Sequence, residues 1–194
     1  MITDHDRSGY FGASDVQYVI GNWKTPTWEK WWKQKLGYNN DHFENRYTIA
    51  GTNWEHRILD SLNLPDLQKD AQFIIEELKL RVNLDGNQPN RIKEVKTYKL
   101  NGVSGDISRF KASECPTRYW RQVQVQMFGS KIFGADVVAY ALEDADYINF
   151  FRDIDPGRLK QIPVVYDQHW IENTYLPKHR VLLDCLRRGA FPNV

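Results

Sequence analysis

Residues 80–98 read LRVNLDGNQPNRIKEVKTY, and the fold turns on how this stretch is taken. Leu80, Val82 and Leu84 alternate, the breakers Gly86, Asn87, Gln88, Pro89 and Asn90 interrupt, and Ile92, Val95 and Thr97 resume. That is the pattern of two short strands joined by a turn. Side chains alternate between the faces of a strand, so Glu94 and Lys96 share a face and Val95 takes the other. Asp85 closes the first strand. If the strands pair or neighbour, Asp85 and Glu94 converge with an ammonium group two residues along.

Two carboxylates held close repel, and one must take up a proton unless a cation joins them. A hard divalent cation such as Mg2+ suits this donor set, because it takes oxygen ligands and keeps several waters. Lys96 would then orient or deprotonate one of those waters. On pattern alone a plainer reading is the stronger one: a solvated hairpin whose charges face water. The rest of the chain has to decide.

With 194 residues the chain is expected to form one domain, spanning 1–194, with a core over about residues 7–142 and a C-terminal strand and helix (161–188) packed on it. A composition of 41% hydrophobic and 26% charged residues is that of a soluble globular protein. No apolar run approaches the ~20 residues of a membrane span. The segment MITDHDRSGYFGASD has neither a basic nor an apolar leader-like region, and Cys115 and Cys185 lack the spacing of a zinc or disulfide framework. The expected compartment is a reducing cytoplasm. A net charge of +1 excludes a general polycation but permits a local basic groove.

Around the hairpin, residues 7–14 (RSGYFGAS) lead into a helix expected over 15–20, with Ser14 as N-cap and Gly21 as stop. Such an N-terminus can hold an anion, and Arg7 can add a bidentate contact. A second helix starts at Thr25-Pro26 and ends near Gly37, with Trp28, Trp31 and Trp32 at core spacing rather than as a base-stacking platform. A third is read over GTNWEHRILDSL (51–62), where Glu55 has two roles open to it. Either it closes a capping box with Thr52, which the spacing favours, or it turns inward as a third carboxylate. Residues 70–76 read as a strand, 99–116 as a surface loop, and 117–133 as a helix capped by Thr117, with Gln122 and Gln126 on one face. Residues 135–142 (ADVVAYAL) read as a buried strand and 161–166 as a weaker one, and a final helix over 167–188 is expected to break or kink at Pro177.

The ordered set RSGYFGAS, GTNWEHRIL, VNLDG, KEVKTY and YWRQVQVQMFG, over residues 7–142, resembles the lambda-exonuclease-type viral nucleases, the YqaJ-like branch of the PD-(D/E)xK superfamily. Many relatives carry Ser-Pro-Asp-Gly where this chain has Asn83-Leu84-Asp85-Gly86. The resemblance implies an α/β (α+β) fold with a restriction-endonuclease-like core, a mixed central sheet flanked by helices. It implies that Asp85, Glu94 and the Val95 carbonyl ligate catalytic Mg2+, for which Mn2+ can substitute, with Glu55 near a second metal. Lys96 would handle the nucleophilic water, Gln122 would hydrogen-bond near it and fix its orientation, and Arg7 and Ser14 would hold a DNA 5′-phosphate.

By the same resemblance the chain is a 5′ to 3′ exonuclease on double-stranded DNA ends, in a phage or prophage recombination system inside a bacterial host. A single-strand annealing recombinase would be its partner and a ring-shaped homo-trimer its assembly. Two other readings stand beside it: an endonuclease on the same core, and a non-catalytic module that binds DNA ends or protein.

Overall fold

The structure, a computed structural model, describes residues 8–38 and 45–193. Its centre is a mixed six-stranded sheet built on β3 (Leu80–Gln88). One edge of β3 is paired antiparallel along its length by β2 (Gln68–Ile75). The opposite edge is shared: β1 (Phe11–Gly12) pairs in parallel with Leu80 and Arg81, and β4 (Arg91–Lys99) pairs antiparallel with Gly86, Asn87 and Gln88. Residues 82–85 therefore have no strand beside them on that edge. The sheet is split there, and β4 continues away from β3 to run parallel with β5 (Gly134–Leu142), which is joined antiparallel by β6 (Leu159–Val165).

The expected hairpin forms, but its strands pair only beside the Pro89-Asn90 turn, and Asp85 stands where they part instead of closing the strand. Strand β5 is buried throughout apart from its first residue, as a continuous apolar run in a sheet covered on both faces should be. Among the described residues, no helix is long and apolar enough to cross a membrane.

Helices cover the two faces. Helix α3 (Arg46–Ser61) packs Ala50, Trp54, Ile58 and Leu59 against Val95, Val138 and Tyr140. It starts well upstream of residue 51. Its N-cap is Asn45, whose side chain accepts from the N–H groups of Tyr47 and Thr48 while Thr48 returns to the Asn45 N–H at 2.9 Å. Thr52 thus lies inside the helix and caps nothing, so the box that competed for Glu55 does not exist.

Helix α5 (Thr117–Ser130) lies on the other face, with Val123 and Met127 in an apolar cluster with Leu84, Ile92 and Val137. Pro116, not Thr117, occupies its N-cap. Its approach to β3 depends on Gly129, where an added Cβ would stand 2.8 Å from both γ-methyls of Val82. The segment expected to be loop carries a short helix, α4 (Gly105–Lys111), capped by Ser104 and stacking Phe110 on Tyr98 and Tyr119.

At the N-terminal side, α1 (Val16–Ile20) is preceded by a 3-10 turn over Ala13–Asp15, and Gly12 rather than Ser14 is the capping position. Helix α2 (Pro26–Lys35) begins as expected, with the Thr25 hydroxyl accepting from Trp28 N–H at 3.2 Å, and Trp28, Trp31 and Trp32 are core. A buried ion pair joins these pieces. Lys35 Nζ stands 2.6 Å from Asp15 Oδ2 and also donates to the Tyr10 carbonyl, while Trp31 Nε1 donates to Asp15 Oδ1. The C-terminal run comprises α6 (Gln168–Trp170), a π turn (Ile171–Tyr175) and α7 (Leu176–Arg187). Pro177 lacks the N–H that an uninterrupted helix requires four residues downstream of Asn173, and the chain widens into the π turn just ahead of it.

Candidate active site

The split in the sheet brings the central charged residues together. Asp85, on the unpaired part of β3, sends Oδ2 across to the Val95 N–H at 2.7 Å, so its carboxylate takes the place of a ladder partner where β4 departs. Glu94 is 1% exposed and sits under α5. Lys96 Nζ and Gln122 Nε2 both donate to Glu94 Oε1, the latter at 2.5 Å, and Gln126 Nε2 donates to Oε2 at 2.6 Å. Alternation along β4 puts Glu94 and Lys96 on one face, as expected, and leaves Val95 to pack against α3. Gln122 meets Glu94, the residue that Lys96 also contacts, so the three form one cluster.

The electrostatics follow from crowding. Burial, with Glu94 and then Glu55 adding like charge, holds the Asp85 carboxyl well above the usual carboxylate range against the pull of Lys96 and the Val95 N–H. Burial and the Glu94 charge raise Glu55 as well. For Lys96 burial alone would favour loss of the proton, but Glu94 and Asp85 outweigh it and keep the ammonium charged beyond its ordinary range. The ammonium also stands 5.4 Å over the Tyr119 ring.

Beside Glu55 are two residues that the sequence reading did not single out. His56 Nε2 lies 3.0 Å from Asp70 Oδ2, and ligand atoms of Glu55, His56 and Asp70 all fall within 4.8 Å of one another. Asp70 falls between Lys69 and Ala71, which pair with Gly86 and Leu84 on either side of Asp85, and has a left-handed backbone with φ 58°. For a non-glycine residue inside a strand that conformation is unusual, and such strain clusters at functional sites. A His directly after Glu55 was the available signal; its partner depends on strand register.

The residues read as a phosphate pocket fare differently. Arg7 lies outside the described residues. Ser14 is exposed within the 3-10 turn and caps no helix, and the N–H at the capping position, that of Gly12, is already taken by Asp15 Oδ2 at 2.7 Å. The turn does abut α5: Arg121 donates to Gln17 Oε1 at 3.0 Å, and Gln17 donates to the Arg118 carbonyl at 3.2 Å.

A divalent cation fits the central cluster on its chemistry. Asp85, Glu94 and Glu55 offer carboxylate oxygens, the preferred donors of Mg2+ and Mn2+, and the Asp85 and Glu55 carboxyls are raised first by burial and then by the Glu94 charge, a repulsion that a cation relieves.

Solved structures share this fold. The alkaline exonuclease LHK-Exo of Laribacter hongkongensis superposes with a TM-score of 0.66 at 16% identity, covering 93% of this chain and 92% of that one. LHK-Exo in complex with dAMP gives 0.64 at 18% identity with the same coverage. A phage-related exonuclease of Haemophilus somnus 129PT gives 0.58 at 16% identity, covering 93% and 92%. No family model matches the chain, and no curated protein matches it in sequence. The chain therefore has the fold of these exonucleases, as the ordered motifs led us to expect.

Proposed function

We propose that the chain is a divalent-metal-dependent deoxyribonuclease that degrades duplex DNA from its ends. The observation that carries this reading is the split between β3 and β4, where Asp85 and Glu94 stand together with Lys96 bonded to Glu94. A fold shared with two exonucleases supports it, and one of them has been crystallised with a deoxynucleotide.

In this reading Asp85, Glu94 and the Val95 carbonyl hold one Mg2+ or Mn2+, and Glu55, with His56 and Asp70 at hand, serves a second. Bound there, the metal supplies Lewis acidity toward phosphate oxygens and lowers the pKa of water. The protein's own groups do the rest. Glu94 is fixed by two amides and an ammonium, so its oxygens do not reorganise as charge develops. Lys96, held as a cation, orients the attacking water and the scissile phosphate by hydrogen bonding, and Gln122 keeps Lys96 and Glu94 in register. Ser14, on a turn against α5, together with Arg7, contacts a terminal 5′-phosphate through side-chain donors. A 5′ to 3′ direction, a ring-shaped trimer and work alongside a single-strand annealing protein in phage recombination complete the proposal.

The test uses linear duplex DNA labelled at either end and the same DNA as a closed circle, with Mg2+, Mn2+ or chelator. Metal-dependent release of nucleotides from linear DNA alone is expected. Cleavage of the circle would make the chain an endonuclease, and end binding without cleavage at any metal concentration would make it a binding module.

A further inference from the structure

The reading above counts Gln126, which lies one turn beyond Gln122 on α5, only as one of the two amides on Glu94. Gln126 is 1% exposed, and its Nε2 donates both to Glu94 Oε2 at 2.6 Å and to the Asn83 carbonyl at 3.0 Å. Those acceptors are on opposite sides of the split. Asn83 belongs to the part of β3 with no strand beside it on that edge, and Glu94 belongs to β4. An amide has two N–H donors, so this one spends one on each strand. Turning the amide over would set its oxygen against two acceptors, which fixes its sense.

Counting donors on Glu94 sharpens the role. Oε1 receives Lys96 and Gln122, which fills its two lone pairs, whereas Oε2 receives, among the described residues, Gln126 alone and keeps one. The Oε1 atom of Gln126 itself is buried without a partner among the described residues. A side chain kept only to fill space would not carry that penalty, because an apolar group of the same length packs without it.

We infer that Gln126 is a positioning residue, a tie between Asn83 and Glu94 across the split that presents Glu94 Oε2 to the divalent cation. The inference rests on the metal-dependent nuclease reading. Gln126 touches neither metal nor DNA; it acts through Glu94.

The test is Mn2+ titration of the full chain by calorimetry without DNA, at a temperature where thermal melting shows each variant folded. Gln126→Met keeps the length and apolar stem but has no donor. It is expected to bind Mn2+ about 10- to 100-fold more weakly, the usual cost of removing a group that orients a ligand. Cleavage should then require correspondingly more Mn2+, while turnover at saturating Mn2+ falls less. If folded Gln126→Met binds Mn2+ within twofold of wild type, Gln126 is a packing residue and the inference is overturned. Should Gln126→Met fail to fold, Gln126→Asn, too short by one methylene to reach Glu94, is measured in its place with the same two outcomes. A wild-type chain that binds no Mn2+ overturns both this inference and the nuclease reading, whereas tight wild-type binding with an unchanged variant overturns this inference alone.

Discussion

Asp85 and Val95 are joined by a hydrogen bond from the Val95 N–H to Asp85 Oδ2 at 2.7 Å, across the point where two strands of a hairpin separate. The carboxylate has two duties there. It caps a backbone group left without a ladder partner, and it contributes a negative charge to a crowded cluster. Asp85→Asn separates them, because the amide oxygen still accepts from Val95 while the charge is gone. Melting temperature is expected to hold or rise as repulsion with Glu94 and Glu55 is relieved. Metal-dependent cleavage is expected to fall by about 10²- to 10³-fold, as when one group that stabilises developing charge is lost. Thermal melts and initial rates on linear DNA check the two halves independently.

Lys96 is bonded to Glu94, its side chain is 21% exposed, and its ammonium is held charged by Glu94 and Asp85 against burial. Lys96→Ala is expected to leave the fold intact and slow single-turnover cleavage by about 10²- to 10⁴-fold. Lys96→Arg should recover little of this. A guanidinium is bulkier than an ammonium, and its planar fork directs its donors differently. Near-normal turnover by Lys96→Arg at saturating Mg2+ would mean that the residue serves only as counter-charge.

Much of this arrangement could be read from residues alone. The alternation in Leu80, Val82 and Leu84, the Pro89-Asn90 break and the helical spacing of Trp28, Trp31 and Trp32 all depend on neighbours a few positions away, and all appear as expected. What was misread depended on distant partners or on rival local signals. Thr52-x-x-Glu55 imitates a capping box, but the real box is Asn45 with Thr48, seven residues upstream, and that shift is what leaves Glu55 uncommitted. The split between β1 and β4 on one edge of β3 cannot be seen in any window of sequence, because it arises from three separate strand pairings. His56 with Asp70, and Gln126 with Asn83, are consequences of that register.

Gly129 sets how close α5 comes to β3, and with it the position of Gln126 and Gln122. Gly129→Ala adds a methyl 2.8 Å from both Val82 γ-carbons, backed by strand rather than by a flexible chain end. Helix propensity alone would make Ala the better residue by about 1 kcal/mol. Overpacking is expected to outweigh it, for a net loss of up to about 2 kcal/mol within the usual range for an inserted methyl. Denaturant unfolding measures that loss, and activity should fall in the folded protein because α5 is lifted from Glu94. The double change Gly129→Ala with Val82→Ala, which reopens the space, should restore part of both.

Ser14 is exposed on a turn whose neighbour Gln17 is bonded to Arg121 of α5. If its hydroxyl contacts a terminal phosphate, Ser14→Ala will reduce cleavage of 5′-phosphorylated ends and leave 5′-hydroxyl ends unaffected. Arg7→Ala should act in the same direction and more strongly, since a guanidinium can bind phosphate through two hydrogen bonds. Equal losses on both kinds of end would remove the two residues from phosphate recognition.

His179 offers a prediction independent of catalysis. It is 0% exposed in the apolar layer beneath Phe11, and both ring nitrogens are engaged. Nε2 is 2.8 Å from the Leu78 carbonyl, which can only accept, so that nitrogen carries the proton, and Nδ1 accepts from the Tyr175 hydroxyl at 3.0 Å. The neutral ring is therefore fully satisfied. Burial, the largest influence, pushes the pKa from 6.5 down to about 4, against the opposing pull of the Leu78 carbonyl. Below pH 6.5 the unfolded chain takes up a proton that the folded chain refuses, so the unfolded state binds more protons and stability falls as the pH drops. The loss begins near pH 6.5 and is complete only below about 4. Between pH 6.5 and 5 it should reach about 1 to 2 kcal/mol, one pH unit in this window being worth about 1.4 kcal/mol. His179→Gln keeps a polar side chain that does not titrate, so the variant should be less stable at pH 7 but lose much less between pH 6.5 and 5. Urea unfolding of both proteins across that range decides the matter: parallel curves would mean that His179 is protonated in the folded state and that the acid sensitivity lies elsewhere.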